Sequence, residues 1–112
     1  MKLPPQVQKM MKEIQKVQKR LQELEEQLEN MTVSAQVGGG MVTVTANGKE
    51  EIVKVEVEEE LLNPEEKEML QDLIVAGVNE ALRKAREMKE QEIAKLTSGF
   101  KLPPGFNLPG MF

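Results

Sequence analysis

Apolar side chains recur in the first quarter of the chain at alternating spacings of three and four residues. An α-helix brings residues at these spacings onto one face, so the pattern predicts a long helix over about 5–31. Such a narrow stripe does not enclose a core alone, and the helix is expected to pack against one or two partner helices. The apolar residues of this face, which we call the seam, are Val7, Met10, Ile14, Val17, Leu21, Leu24, Leu28 and Met31.

The pattern changes to a period of two after this helix. Apolar or β-branched residues alternate with polar ones in three short segments between 32 and 57, which is typical of strands with one buried face. Three consecutive glycines, 38–40, separate the first two segments, and Asn47-Gly48 is a strong hairpin signal before the third. The sequence therefore predicts a three-stranded antiparallel meander over about 32–57, whose apolar face another element must cover.

A second long helix is predicted over about 64–97. Asn63 and Pro64 are typical of an N-cap followed by proline at the first helical position. The first half of this helix is rich in apolar residues and is expected to face the sheet and a second subunit. Gly77 lies inside it and indicates a close backbone crossing, with a tolerated glycine as the alternative. The second half keeps a thin apolar line that could meet the seam.

The last segment, 99–112, contains all three phenylalanines and five helix-breaking residues between 103 and 110. It cannot form a helix or an ordinary strand. Two interpretations stay open, an extended tail that docks on an apolar groove and a disordered end. The chain is thus predicted to form one α-β-β-β-α domain over 1–98, followed by a tail over 99–112.

The composition excludes most classes of enzyme. The chain has 112 residues, enough for one small domain, and it contains no His, Cys, Trp or Tyr. It therefore lacks an imidazole base, a thiolate nucleophile and the usual zinc ligands. We expect a protein without catalytic activity, metal, cofactor or small-molecule substrate. Without a long apolar run or a signal-peptide core, the chain is expected to be soluble and intracellular, with no membrane partner.

The charge is acidic overall but segregated along the chain. The net charge of −4 argues against a polyanionic partner for the molecule as a whole. However, the first twenty residues carry six basic side chains and one acidic side chain. Residues 21–72 carry three basic and fourteen acidic side chains, and residues 73–112 carry six basic and four acidic ones. Both ends are basic, so the chain can present a local positive surface to a polyanion.

Two groups of basic residues are candidates for that surface. Lys9, Lys12, Lys16 and Lys19 follow one another at spacings of three, four and three, which places them on one face of the first helix, about opposite the seam. Aligned ammonium groups suit the phosphates of a nucleic-acid backbone. The alternative is that these lysines are ordinary solvated positions of an amphipathic helix.

The second basic group lies on the second helix and is interleaved with acidic residues, so mutual neutralisation is the favoured interpretation. No aromatic residue accompanies either group, and base stacking is not expected. Binding would rest on backbone contacts with little sequence preference. The second group consists of Arg83, Lys84, Arg86 and Lys89.

Several segments together resemble the YbaB/EbfC family of bacterial nucleoid-associated proteins. They include Val7-Gln8-Lys9-Met10-Met11-Lys12, the hairpin from Gly39 to Gly48, Glu68-Met69-Leu70-Gln71-Asp72-Leu73-Ile74, Asn79-Glu80-Ala81 and Leu102-Pro103-Pro104-Gly105-Phe106. The resemblance implies an α/β (α+β) homodimer, in which a small sheet core carries helical arms shaped like tweezers. It further implies binding of double-stranded DNA in the cytoplasm, at the nucleoid, without enzymatic activity.

In that family the first and last helices are implicated in DNA contact. This implies roles for Lys9, Lys12, Lys16, Lys19, Arg20, Arg83, Lys84, Arg86 and Lys89. Nucleoid organisation, DNA protection and gene regulation are compatible cellular roles, and an additional protein partner stays open. The alternative, from another functional class, is a prefoldin-like chaperone or adaptor that grips proteins with its helical arms. Exposed methionines favour that alternative, because methionine adapts to many partners, whereas the short free length of the helices opposes it.

Overall fold

The structure, a computed structural model, describes residues 3–98, which form two long helices and a sheet in the order α-β-β-β-α. The elements are α1 (Pro5–Asn30), β1 (Thr32–Val37), β2 (Val42–Asn47), β3 (Ile52–Val57) and α2 (Lys67–Ser98). Two 3₁₀ turns, Glu59–Leu61 and Pro64–Glu66, join β3 to α2. The predicted fold class is confirmed. The predicted tail, 99–112, lies outside the described residues.

The three strands pair in chain order as an antiparallel sheet. Ala35 of β1 lies opposite Val44 of β2, which in turn lies opposite Val55 of β3, so these three side chains share one face. The register between β2 and β3 shifts at Thr45 and Ala46. The apolar face of the central strand is fully covered, since Val44 and Ala46 are both 0% exposed.

The cover comes from α2, which packs across β1 and β2. Gly77 lies against Val44, where an added Cβ would come within 2.7 Å of the valine Cγ2 atom. The close crossing predicted at Gly77 is thereby confirmed. Ala81 and Ala85 continue this contact at four-residue intervals and are buried completely. Small residues on one face of α2 thus allow the helix to lie close to the sheet.

The predicted N-cap before α2 is confirmed at the second 3₁₀ turn. The Asn63 side-chain oxygen accepts hydrogen bonds from the amides of Glu65 and Glu66 at 3.0 and 3.1 Å. These bonds satisfy amides that a helical turn leaves without partners. Asn63 also donates from Nδ2 to the carbonyl of Glu60 at 2.8 Å, which links the two turns.

The Asn47-Gly48 signal marks a hairpin, but its turn is longer than the two-residue type typical of this dipeptide. Asn47 ends β2, and its side-chain oxygen accepts hydrogen bonds from the amides of Lys49 and Glu51. The positive φ falls on Glu50. Gly48 instead provides room, because an added Cβ would lie 2.6 Å from Leu28 Cδ2, and its amide donates to the Leu28 carbonyl at 2.9 Å. The β2–β3 turn therefore packs against the carboxyl end of α1.

The seam of α1 is covered over only part of its length. Val17, Leu24 and Leu28 are buried, whereas Val7 and Met10 near the amino end are 39% and 48% exposed. The covered part lies against the second half of α2, which runs antiparallel to α1. The described residues extend over 73 × 23 × 22 Å. The amino-terminal part of α1 thus projects beyond the described end of α2.

Candidate nucleic-acid interface

We call Lys9, Lys12, Lys16 and Lys19 the lysine stripe. Its first half lies on the projecting part of α1, and its second half lies beside α2. Lys9, Lys12, Lys16 and Lys19 are all exposed. Among residues 3–98, no carboxylate forms an ion pair with any of them. The stripe extends about 15 Å along the helix axis, a length over which one strand of a duplex presents about four phosphates. Its charge is therefore available to a polyanion.

A shallow groove between α1 and α2 continues this basic surface. Arg20, one of the predicted site residues, lines it, so the structure brings Arg20 together with the second half of the stripe. Lys95 of α2 lies across the groove, where its ammonium group forms an ion pair with Glu92 at 3.2 Å. The remaining residues of the lining are Glu13, Lys16, Lys19, Glu23 and Leu96.

Lys95 was not predicted as a site residue. In the sequence it follows Glu92 at a spacing of three, which is typical of an ordinary helical ion pair. Its position beside Lys16 and Arg20 results from the antiparallel packing of two helices that are far apart in sequence. Only the alignment of α1 with α2 could have identified it.

The second basic group has intramolecular partners. Arg83 forms ion pairs with Glu80 and Glu87 on its own helix. Its hydrogen bond and positive charge lower the pKa of the Glu80 carboxyl. Arg86 Nε donates to Glu50 Oε1 at 2.8 Å, across to the β2–β3 turn. Carboxylates therefore neutralise the two arginines, which are half of this group.

The other two members of that group differ. Lys84 Nζ donates to the carbonyl of Ser34 in β1 at 3.1 Å, so this lysine fastens α2 to the edge of the sheet. Lys89 is half-buried. Lys84 and Arg86 contact β1 and the β2–β3 turn, whereas the lysine stripe is centred in the first half of α1, roughly 20 Å away along the helices. The structure therefore does not bring the two basic groups together.

Acidic residues occupy the opposite end of the molecule from the stripe. The run Glu56, Glu58, Glu59 and Glu60 is exposed, and Glu56 forms an ion pair with Lys54 at 3.6 Å. No described group of His, Cys, Asp or Glu has the arrangement of a metal site. None of the described helices is long and apolar enough to cross a membrane. The molecule is thus electrically polarised along its length.

The face of the sheet that packs against α2 is left partly uncovered at β3. Val55 lies opposite the buried Val44 and Ile52 opposite the buried Ala46, yet Ile52, Val53 and Val55 are 36%, 53% and 42% exposed. Further exposed apolar side chains follow at Leu62, between the two 3₁₀ turns, and at Met69 and Val75 of α2. β3 is also an edge strand in the described sheet, with one row of backbone groups unpaired.

Comparisons with known sequences identify a family and two relatives. Residues 1–100 match the sequence model of the YbaB/EbfC DNA-binding family. The chain is 52% identical over 97 residues to a nucleoid-associated protein of Pelotomaculum thermopropionicum, covering 87% of this chain and 92% of that one. It is 51% identical over 81 residues to a nucleoid-associated protein of Syntrophobacter fumaroxidans, covering 72% and 73% of the two chains.

A solved structure shares the fold. The uncharacterized protein HP0035 from Helicobacter pylori superimposes with a TM-score of 0.66 at 26% sequence identity. The match covers 74% of this chain and 87% of the other. The two long helices and the three-stranded meander are therefore an arrangement found in an independently solved protein.

Proposed function

The chain belongs to the YbaB/EbfC DNA-binding family, and from this premise we propose that it binds double-stranded DNA as a homodimer, mainly through phosphate contacts made by α1. Relatives named nucleoid-associated proteins support a location at the nucleoid in the cytoplasm. Nucleoid organisation, DNA protection and gene regulation are the roles that such binding would serve. No catalytic step is part of the proposal.

The observation that supports this proposal most directly is the lysine stripe. Its four exposed ammonium groups have no carboxylate partners within the described chain and lie on a helix that projects from the core. Each contact with a phosphate would release condensed counterions from the DNA, which provides affinity despite the acidic total charge. Arg20 adds a further cation at the inner end of the stripe.

Little sequence preference is expected. The described helices and strands contain no aromatic residue that could stack on a base, since all three phenylalanines lie between 100 and 112. Lysine contacts phosphate as a point charge, and contacts of this kind position a protein without reading the base edges. The proposed binding is therefore governed by salt concentration more than by DNA sequence.

The uncovered apolar side chains of β3 support the homodimer. Leaving Val53 and Val55 in water is unfavourable by about 25 cal/mol for each Å² of apolar surface. A second copy presents the same apolar surface, so it can cover this one by a self-complementary contact. A dimer would carry the lysine stripe twice, and two stripes on one duplex would bind more tightly than one.

The binding proposal can be tested by fluorescence anisotropy of a labelled mixed-sequence DNA duplex at several salt concentrations. We expect log affinity to fall linearly with log salt concentration. The variant Lys9→Glu/Lys12→Glu/Lys16→Glu should lose binding by at least about 100-fold, because three phosphate contacts become three repulsions. Its circular dichroism should stay unchanged, since all three side chains are exposed.

A matched control for the double stripe variant Lys12→Glu/Lys16→Glu is Lys49→Glu/Lys67→Glu. It changes the net charge by the same amount at two exposed lysines that lie outside α1 and β3. This control should bind DNA nearly as the parent protein does. Equal losses in the two variants would assign the effect to total charge, and full affinity in the stripe variant would rule out the stripe as the site.

A second candidate function, the prefoldin-like chaperone or adaptor, is favoured by one observation. The projecting part of α1 exposes Leu3, Val7, Met10 and Met11 on or beside the seam. An adaptable apolar surface of this kind suits unfolded chains. Absence of DNA binding at low salt, together with suppressed aggregation of a denatured client protein, would establish this function instead.

A further inference from the structure

The amino-terminal part of the seam is largely uncovered by the described residues, and Ile14, at its inner end, is half-buried. Val7, Met10 and Met11 are 39%, 48% and 45% exposed, whereas Val17 farther along the same helix is 0% exposed. Together with Ile14 these residues fall within an arc of about 100° on α1. They form a continuous apolar strip, which we call the exposed seam, consisting of Val7, Met10, Met11 and Ile14.

The exposed seam begins where the described part of α2 ends. Leu96 lies across the groove from Arg20 and Leu24, and Lys95 lies across it from Lys16. Because the two helices are antiparallel, Ser98 lies about level with Val17. The chain therefore leaves the described part at the point where the seam is no longer buried.

The segment that follows has the composition of an apolar ligand. Residues 99–112 contain Phe100, Phe106 and Phe112, the only aromatic residues of the protein, and a single charged side chain, Lys101. Three prolines favour extended backbone and reduce the entropy lost on docking. The strip is only about 11 Å long, so at about 3 Å per residue the segment is long enough to run along all of it.

We propose that residues 99–112 dock in extended form along the exposed seam of α1 in the same chain, with phenylalanine side chains covering Val7 and Met10. The seam and the lysine stripe lie on opposite faces of α1, so docking leaves the lysines accessible. The proposal is consequently independent of DNA binding. It concerns the hydrophobic cover of the projecting arm.

Charge favours this segment over a second copy of α1 as the occupant. Two exposed seams packed face to face would bring two lysine stripes together on one narrow pair of helices, and the like charges would repel each other. The segment 99–112 adds one lysine and six large apolar side chains. It therefore covers apolar surface at little electrostatic cost.

The proposal can be tested by methyl NMR of the full chain with ¹³C-labelled Met and Val methyl groups. Because all aromatic protons belong to residues 100–112, every aromatic-to-methyl NOE reports contact with this segment. We expect such NOEs to Val7 and Met10. Met41 and Met69, which lie near the sheet, serve as internal controls and should show none.

Two variants of the full chain sharpen the test. Replacing all three phenylalanines with serine should shift the Val7 and Met10 methyl signals and leave those of Met41 and Met69 in place. Met10→Gln, at an exposed position, should instead shift the signals of the phenylalanine rings while the helix content is unchanged.

Other outcomes would overturn the proposal. Absence of aromatic NOEs at the seam, or their appearance at Met41 and Met69, would exclude docking on α1. In a mixture of labelled and unlabelled copies, aromatic NOEs seen only between different copies would assign the seam to a neighbour's segment.

Discussion

Two glycines decide how closely the elements of this protein approach one another. Gly77 allows α2 to cross the central strand at Val44, and Gly48 allows the β2–β3 turn to close on Leu28. Neither has a positive φ. Glycine is therefore needed at both positions because a neighbouring side chain occupies the space that a Cβ would fill. The conformational freedom that glycine provides in turns is not the reason.

The substitution Gly77→Val should destabilise the protein by about 1–3 kcal/mol, because its side chain would overlap the buried, branched Val44. The midpoint of urea unfolding measures this change. The matched control is Ala76→Val, at an exposed position one residue away, which tests only the helix propensity of valine. A similar loss of stability in both variants would mean that the contact between α2 and Val44 can accommodate a larger side chain at position 77.

At the scale of elements, the same helix serves two purposes along its length. The first half of α2 buries small residues against the sheet, and its middle carries the ion pairs of Arg83 and Arg86. α1 is divided in a similar way. Its carboxyl half is buried on one face and acidic on the other, while its amino half carries the lysine stripe.

The Glu80–Arg83 pair predicts a small dependence of stability on pH. Arg83 lowers the pKa of Glu80 in the folded protein. The ionised Glu80 carboxylate therefore stabilises α2 fully when the pH is above the pKa that Glu80 has in the unfolded chain. This contribution is lost as the pH falls through the lowered pKa in the folded protein. The melting temperature of Glu80→Gln should therefore fall less than that of the parent protein between neutral and acidic pH.

The effect should also weaken in salt, since the pair is exposed. Glu90→Gln is the matched control, because Glu90 forms no ion pair with the described residues. If Glu80→Gln followed the same pH profile as the parent protein, the pair would contribute nothing measurable.

At the scale of the whole molecule, charge and apolar surface are separated. The acidic turns after β3 and the basic arm of α1 lie at opposite ends, and the uncovered β3 lies with the sheet core. A contact through β3 would therefore join two cores and leave both arms free, which is the arrangement that a bivalent DNA-binding protein needs.

Val53→Lys/Val55→Lys should convert the proposed dimer into monomers, since two buried cations would oppose association. Sedimentation equilibrium measures the change directly. DNA affinity should fall as well, because each monomer carries only one stripe. Gln36→Lys, on the other edge strand, is the matched control and should remain dimeric. A dimer that survives the β3 substitutions would have its interface elsewhere.

The sequence by itself determined the elements and the faces of each element. Spacings of three and four place Val17, Leu24 and Leu28 on one side of α1 and the lysines on the other, and spacings of two predict the strands. Asn63 marks the start of the second helix through hydrogen bonds to residues two and three positions away. Such features depend on local backbone geometry, so they are visible in a short stretch of chain.

Only the tertiary structure decided which of those faces are covered. Met10 and Val17 occupy equivalent seam positions seven residues apart, yet Met10 is exposed and Val17 is buried, because the described part of α2 extends only to about the level of Val17. Arg86 meets Glu50 and Lys84 meets Ser34 across large separations in sequence, whereas the lysine stripe meets no carboxylate among residues 3–98. Burial and pairing depend on how distant segments align, and periodicity along one segment carries no information about that alignment.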